Sequence, residues 1–532
     1  MSSGARATLG AFCVFGVAAV LIMSPEWWAG LTITHSIRYN LVWTEQFRDM
    51  AREGILYPRF LLRSWDGLGS PTFYFYPPLF FWIAAALDAA SLQLLPLGAL
   101  VSATTATALA ASGCAMWVWL RSKGAEKPIV FAVAYMIAPY HLYDIYVRGA
   151  VAESLSFAML PIAALALDWL AKGRRGGIAM LAVACSLLLL THLPVAFVTI
   201  ILLLVPYALF LAISAEGAVT FLAKAAVGGL IGLGIAAGYW LPIVWLTPFI
   251  SVHAFTGPFF MPSNWFFWAP WRWIRSDTFS IIIPLTAAYA LVALIALRKT
   301  SQSLFWGGLS LGAAAMAGGF VPFFWDLPGF THVQFPFRCL VVVEFATLTA
   351  ASLAWSTDAT VRYPAMAFAL FAAWLMPPVV AQRVIGTHQV AQDRLAELSA
   401  QHRDAPEYLP RGLSIPIDSE LLPDPMMVQL PAAPLTPLAT GGPQTIELSP
   451  SASGMVVVRR FYYPLWRVTD AEGRLMKTFA IGPNKLLAWR GPPGNHRYTL
   501  SPGPAQGEQE GAWITIFSLL AAVVTVVRVG KI

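Results

Sequence analysis

Long apolar runs alternate with short polar connectors along the chain, and that alternation gives the first expectation. A helix needs about 17 to 25 mostly apolar residues to cross a bilayer, which predicts about twelve spans here. They fall near 7–24, 98–120, 128–143, 154–171, 178–192, 194–213, 224–247, 279–297, 303–320, 339–356, 363–381 and 512–528. The connectors RSKGAEK at 121–127, KGRRGG at 172–177 and RKT at 298–300 are basic, as is the closing RVGKI. Under the positive-inside rule these face the cytoplasm, so both termini are expected there. One further run, PPLFFWIAAALDAASLQLL from Pro77, would reverse every later connector if it spanned. Its leading prolines and the acidic Asp88 fit an interfacial or re-entrant helix packed on protein.

Two regions outside the membrane follow from this threading. In the first, about 25–97, Tyr39, Trp43, Phe47 and Met50 recur at helical spacing and Gly54 offers a stop, predicting a helix on the membrane plane. In the second, 383–511, charge, proline and glycine rise sharply. The stretches QTIELS, MVVVRRFYY, WRVTD, LLAWR and RYTLS, with DAEG and PPGN as turns, predict a small β-sandwich. The expected organisation is a transmembrane domain over 1–382, a periplasmic mixed or β-sandwich domain over 383–511, and an anchor over 512–532. Arg6 and the apolar run behind it resemble a signal peptide, but no small-x-small cleavage site follows, so a retained first span is expected.

Composition agrees: 58% of residues are hydrophobic and only 11% charged, too few charges for a soluble chain of this length. The net charge of +7 is spread over loops and forms no run, which argues against nucleic acid as a partner. Cys13, Cys114, Cys185 and Cys339 lie in or beside apolar runs without a CxxC pair, so neither disulfides nor a cysteine metal site is expected.

Ionisable residues near bilayer depth are costly and tend to line a site, so the polar groups at the outer face are the candidates. They include His35, Arg59, Arg63 and Asp66 in the first loop, and Asp144, Arg148 and Glu153 in YDIYVRGAVAESL. Further along come His192, His253, Arg272, Arg275, Asp277, Asp326, His332, Gln334 and Arg338. Every basic residue of the first loop is arginine, namely Arg38, Arg48, Arg52, Arg59 and Arg63, and a guanidinium fork suits phosphate oxygens. Snorkelling to lipid headgroups is the plainer alternative. Glu153 reads either as a first-turn carboxylate favoured by the helix dipole or as a general base. Arg148 reads as a phosphate ligand or as the partner of Asp144 or Glu153. Tyr74 and Tyr76, in SPTFYFYPPLFFW, belong to an aromatic belt or point polar tips at a sugar. No Walker, Rossmann or zinc-type spacing occurs.

WTEQFRDMAREGILYPRF, GLGSPTFYFYPPL, DIYVRGAVAE and VQFPFRCL, in this order, resemble the bacterial integral membrane proteins labelled 6-pyruvoyl-tetrahydropterin-synthase-related. Nothing in the chain looks like a soluble pterin enzyme. That group is similar to YfhO-like proteins and, more distantly, to GT-C glycosyltransferases. FYYPLWRV with PPGNHRYTL looks like the β-domain of the YfhO-like proteins. The resemblance implies a GT-C-like helical bundle in the bacterial inner membrane, moving a sugar from a polyprenyl-phosphate carrier to a lipid or glycan acceptor at the periplasmic face. It implies Arg148, Arg59 and Arg338 as phosphate ligands, with His35, Tyr76 and Gln334 beside the substrate and Glu153 or Asp144 as base. No cofactor is called for, with room left for a divalent cation; membrane lipids are the other partner. GT-C proteins carry an aspartate soon after the first span, and this chain has Ser36 after His35. The base has then moved to Asp144, Glu153, Glu45 or Asp49, or the protein binds a lipid-linked sugar without transferring it. A flippase of lipid-linked glycan and a non-catalytic membrane assembly protein are the alternatives.

Overall fold

The computed structural model describes residues 3–252, 257–269, 277–297, 300–355, 403–413, 444–448, 455–492 and 496–528. The span expected at 363–381 lies outside them, as do His253, Arg272 and Arg275. Among the described residues nine helices are long and apolar enough to cross a bilayer, against about twelve expected. Of the three expected spans that are missing, the one at 363–381 lies outside the described residues and the other two have local causes. Gly177–Thr191 has 15 residues and Ser301–Ala317 has 17, short or marginal for the apolar thickness. The run expected over 224–247 breaks at Ala236 into helices Ala218–Ile235 and Ala237–Leu246, and the first of these still counts among the nine. The segment after Pro77 forms the helix Leu79–Ala90, with 12 residues too short to span.

Small residues let the last helix, Glu508–Arg528, seat closely on that broken pair. A Cβ at Gly511 would stand 2.7 Å from the Ala237 carbonyl oxygen, and one at Gly234 would stand 2.1 Å from Ser518 Oγ. The Ser3–Ala29 helix and this last helix show most of their leucine and valine side chains outward, as lipid-facing helices do. Val151–Ala171 is the opposite, buried along nearly its whole length at the centre of the bundle.

The amphipathic helix expected in the first loop is Ile37–Arg52, with Trp43 and Phe47 turned inward. Behind it, Trp43, Phe47, Phe73 and Phe81 form an aromatic knot with ring centroids 4.7 to 6.4 Å apart.

The C-terminal strands form two antiparallel sheets. β1 (Gln444–Leu448), β3 (Trp466–Asp470), β4 (Leu475–Met476) and β7 (His496–Pro502) are ordered β1-β7-β3-β4. β2 (Met455–Phe461), β5 (Thr478–Ile481) and β6 (Leu486–Arg490) are ordered β2-β6-β5. Alternate residues of β2 point inward, and Val458, Val468, Trp489 and Leu500 are among the buried side chains. This β unit rests on the first loop: the Phe461 amide donates to the Leu68 carbonyl at 2.8 Å, and Phe60 packs edge-on to Tyr463 and Trp466.

Candidate functional site

The stretch from Tyr143 to Leu155, expected as an outer loop, is mostly helical. Pro139 cannot donate a backbone N–H and holds Ala138 extended, so the helix Pro128–Met136 ends and Pro139–Tyr143 starts anew. That turn runs into a π-helix, Asp144–Arg148, and Gly149 closes it in the left-handed region at φ 62°. A Cβ on Gly149 would lie 2.0 Å from Thr34 Oγ1, so the start of the first loop presses against this reversal. The His35 and Ser36 amides donate to the carbonyls of Val147 and Arg148 at 3.3 and 3.0 Å, and Asn40 Nδ2 donates to the Gly149 carbonyl at 2.5 Å. Ser36, where the resemblance expects an aspartate, thus sits beside the backbone of Arg148.

Glu153 is the centre of the site. Its Oε1 accepts from Tyr140 Oη at 2.7 Å and meets Arg148 Nη1 at 2.8 Å; its Oε2 accepts from Arg338 Nε at 3.1 Å. His192 Nε2 stands 3.9 Å from Oε2, while its Nδ1 accepts from the Val195 amide and caps the next helix. Arg148 also donates to Asp144 Oδ1 at 2.6 Å, and Asp144 Oδ2 has no hydrogen-bond partner among the described residues. Arg338 Nη1 donates to the Val333 carbonyl at 2.6 Å and to Gln334 Oε1 at 3.2 Å. The rings of Phe335 and Phe337 lie over the two guanidiniums, with centroid distances of 5.0 to 5.8 Å. Two cations and two carboxylates therefore share one nearly dry cluster, where electrostatic interactions are far stronger than in water.

Asp144, Arg148, Glu153, Gln334 and Arg338 are brought together, with Tyr76 within electrostatic reach of Arg338, Glu153 and Arg148. His35 is exposed beside them. Arg59 is not part of the group, which corrects the expectation of one shared cavity. It pairs with Glu508 at 3.2 Å, donates to the Gly238 carbonyl at 2.8 Å and lies over the Tyr57 ring; Tyr74 Oη donates to the same Glu508. Burial beside Glu508 pushes the Tyr74 hydroxyl well above its usual range, so it stays a donor there. The other first-loop arginines are engaged as well. Arg48 and Arg63 both bind Asp49, Arg52 forks onto Asp88, and Arg38 donates to Tyr39 Oη. For Arg48, Arg52, Arg59 and Arg63 the choice of arginine serves local ion pairs. Asp326 and His332 are exposed and apart from the cluster, and Asp66 sits in a left-handed turn at φ 53°.

Sequence reasoning passed over Glu344. It is fully buried in Leu340–Ala354 and accepts from the Tyr140 amide at 2.7 Å, the His141 amide at 3.3 Å and Tyr289 Oη at 2.7 Å. These are the amides that the Pro139 break leaves open. A lone carboxylate inside the apolar LVVVEFATL was the available signal. The segment 403–413 was passed over too, and it ties the outer parts together. Asp404 accepts from Trp43 Nε1, Ser64 Oγ, Thr72 Oγ1 and the Ala405 amide at 2.6 to 2.8 Å. Further along, Leu409 and Arg411 bond the backbone around Phe249 and Ser251, and Tyr463 Oη donates to the Tyr408 carbonyl at 2.6 Å.

These features define a multi-pass helical membrane protein with a buried arginine–carboxylate cluster at one end of its bundle. No protein-family model matches the chain, and no curated protein matches it. Among solved structures, the arabinofuranosyltransferase AftD from mycobacteria, seen by single-particle cryo-EM, aligns at 17% identity with a TM-score of 0.42. The alignment covers 72% of this chain and 27% of that one, so this chain spans well under a third of its length; a likeness at that level decides neither fold nor activity.

Proposed function

We propose that the protein is a GT-C-like inner-membrane glycosyltransferase that takes a sugar from a polyprenyl-phosphate donor and passes it to a lipid or glycan at the periplasmic face. The observation that carries the reading is the convergence of Arg148 and Arg338, from separate helices, on Glu153. Each guanidinium is partnered by Glu153, and the two residues keep a little exposed surface, 7% and 6%. A lipid phosphate entering from the outer leaflet would bridge the two guanidiniums and gain charge-assisted hydrogen bonds. Glu153 orients both forks and balances their charge until the phosphate arrives. The motif resemblance, running through this same cluster, supports the choice of donor. The charge that builds on the departing phosphate would then meet donors already in place, worth several kcal/mol of barrier.

One observation favours a second reading. Both oxygens of Glu153 are taken and Asp144 is fully buried, so no carboxylate inside the cluster is open to an acceptor hydroxyl. A protein that binds a lipid-linked sugar without transferring it needs no such group. The test uses the full chain in lipid nanodiscs. Bare polyprenyl phosphate should bind, and Arg338→Lys, which removes the fork and keeps the charge, should weaken it roughly 10-fold or more. Incubation with radiolabelled polyprenyl-phosphate pentoses and hexoses, with membranes of cells lacking the protein as acceptor source, then separates the readings. Transfer supports the enzyme; binding without transfer supports the carrier; binding that ignores Arg338→Lys sinks both.

A further inference from the structure

The chain reaches Arg338 through a turn that most side chains resist. Gln334 sits at φ 68° and ψ −62°, in the left-handed half of backbone space, where residues other than glycine are scarce. The Phe335 amide donates to the Val333 carbonyl at 2.8 Å and closes a strained three-residue γ-turn around it. Three contacts of the cluster hang on this reversal. Arg338 Nη1 donates to the Val333 carbonyl at 2.6 Å and to Gln334 Oε1 at 3.2 Å, and the Phe335 ring centroid stands 5.0 Å from the Arg338 guanidinium. With its oxygen taken by Arg338, the Gln334 carboxamide offers only its NH2 group. That nitrogen, Nε2, has no hydrogen-bond partner among the described residues, and it lies on a half-buried side chain without being enclosed. Arg338 Nη2 and Arg148 Nη2 are unspent in the same way.

Resting on the reading of this cluster as a polyprenyl-phosphate sugar site, whether the sugar is transferred or carried, we propose that Gln334 reads the sugar. Its Nε2 donates to the hydroxyl on the carbon next to the anomeric carbon. A single oxygen joins that anomeric carbon to the phosphate, so the hydroxyl stands beside the phosphate as Nε2 stands beside the guanidinium of Arg338. The charged forks suit the phosphate oxygens, and the neutral amide suits a neutral hydroxyl.

The strained turn fits this task. Glycine would take the same backbone at lower cost, but it has no carboxamide to offer. A glutamine held there against its own preference is fixed at both ends, by the turn at its backbone and by Arg338 at its side-chain oxygen. Such strain gathers at ligand clamps, where a donor must be aimed before the ligand arrives. A donor fixed in direction also tells apart sugars that differ only in which way that one hydroxyl points.

The experiment measures binding to the full chain in nanodiscs with three probes. They are bare polyprenyl phosphate, the polyprenyl-phosphate pentose or hexose that wild type holds best, and the 2-deoxy analogue of that donor. Wild type should bind the 2-deoxy analogue about 10-fold more weakly than its parent. Gln334→Ala should weaken the parent donor about 10-fold, while bare phosphate and the 2-deoxy analogue each lose less than about 3-fold. Gln334→Gly should show the same pattern and also raise the midpoint of thermal unfolding, because glycine relieves the turn. A residue that only positioned Arg338 would weaken all three probes alike. Equal weakening of the three, or a wild type that holds the 2-deoxy analogue as tightly as its parent, overturns the role of Gln334 and leaves the lipid-phosphate site standing. A wild type that binds no bare polyprenyl phosphate overturns both.

Discussion

Glu153 and Asp168 sit at opposite ends of one buried helix, about 22 Å apart at 1.5 Å per residue, and each is a carboxylate held by basic side chains. Asp168 is bound by Lys123 at 2.7 Å, by Tyr207 Oη and by Lys172 at 3.4 Å. Lys172 is half exposed, its side chain 51% open, and ties this end to a wet surface, while Lys123 is as buried as the arginines, its side chain 6% open. At the Glu153 end both cations are arginines with side chains only 8% and 9% open, arriving from different helices and roofed by Phe335 and Phe337. Burying a carboxylate among cations therefore does not by itself make a site. Lysine at Asp168 gives a point charge without preferred geometry, while the two planar forks at Glu153 hold a fixed arrangement that a phosphate can share.

Substitution can break this contrast. Arg338→Ala leaves Glu153 short of a partner in a dry setting and should cost about 3–5 kcal/mol in thermal unfolding, along with loss of polyprenyl-phosphate binding. Asp168→Ala strands Lys123 and should destabilise to a similar degree, yet the folded fraction should bind polyprenyl phosphate like wild type. Equal loss of binding in the two variants would erase the functional difference between the ends. Gly149→Ala forces a Cβ against Thr34 in a left-handed turn and should cost about 1–3 kcal/mol, part of it recovered in a Thr34→Gly background. Lys172→Ala and Arg63→Ala remove solvent-screened partners and should change stability by less than about 1 kcal/mol, with binding intact.

Much of this was legible along the chain because it is written in local pattern. Apolar length marked most of the spanning helices, alternation in MVVVRRF marked β2, and the parity of the basic connectors, with two leading prolines and Asp88, marked the run after Pro77 as interfacial or re-entrant. Arg148, Glu153 and Arg338 stood out because charge is rare at that depth. Partner choice was not legible. Whether Arg59 faces Glu153 or Glu508 depends on where the last helix docks, and that rests on glycines hundreds of residues away. Glu344 vanished into an apolar run because its partners are backbone amides freed by a distant proline. Asp404 sits in a stretch whose composition reads as coil, and only the folded chain lays it across Trp43.

The π-turn at Asp144–Arg148 carries one residue more than an α-turn would need, and this has a genetic consequence. Asp144 and Arg148, four residues apart, would face each other in an α-turn too, so what the surplus sets is how the upstream turn meets the helix that carries Glu153. Loss of a single codon between them, for example that of Ile145, would let the turn relax to ordinary α spacing. Tyr140 and Asp144, upstream of the loss, would turn by roughly 100° against Arg148 and Glu153, while the apolar helices on either side kept the lengths that seat them in the bilayer. The smallest in-frame lesion in this gene should thus take the Tyr140–Asp144–Arg148–Glu153 contacts apart in a protein that still inserts.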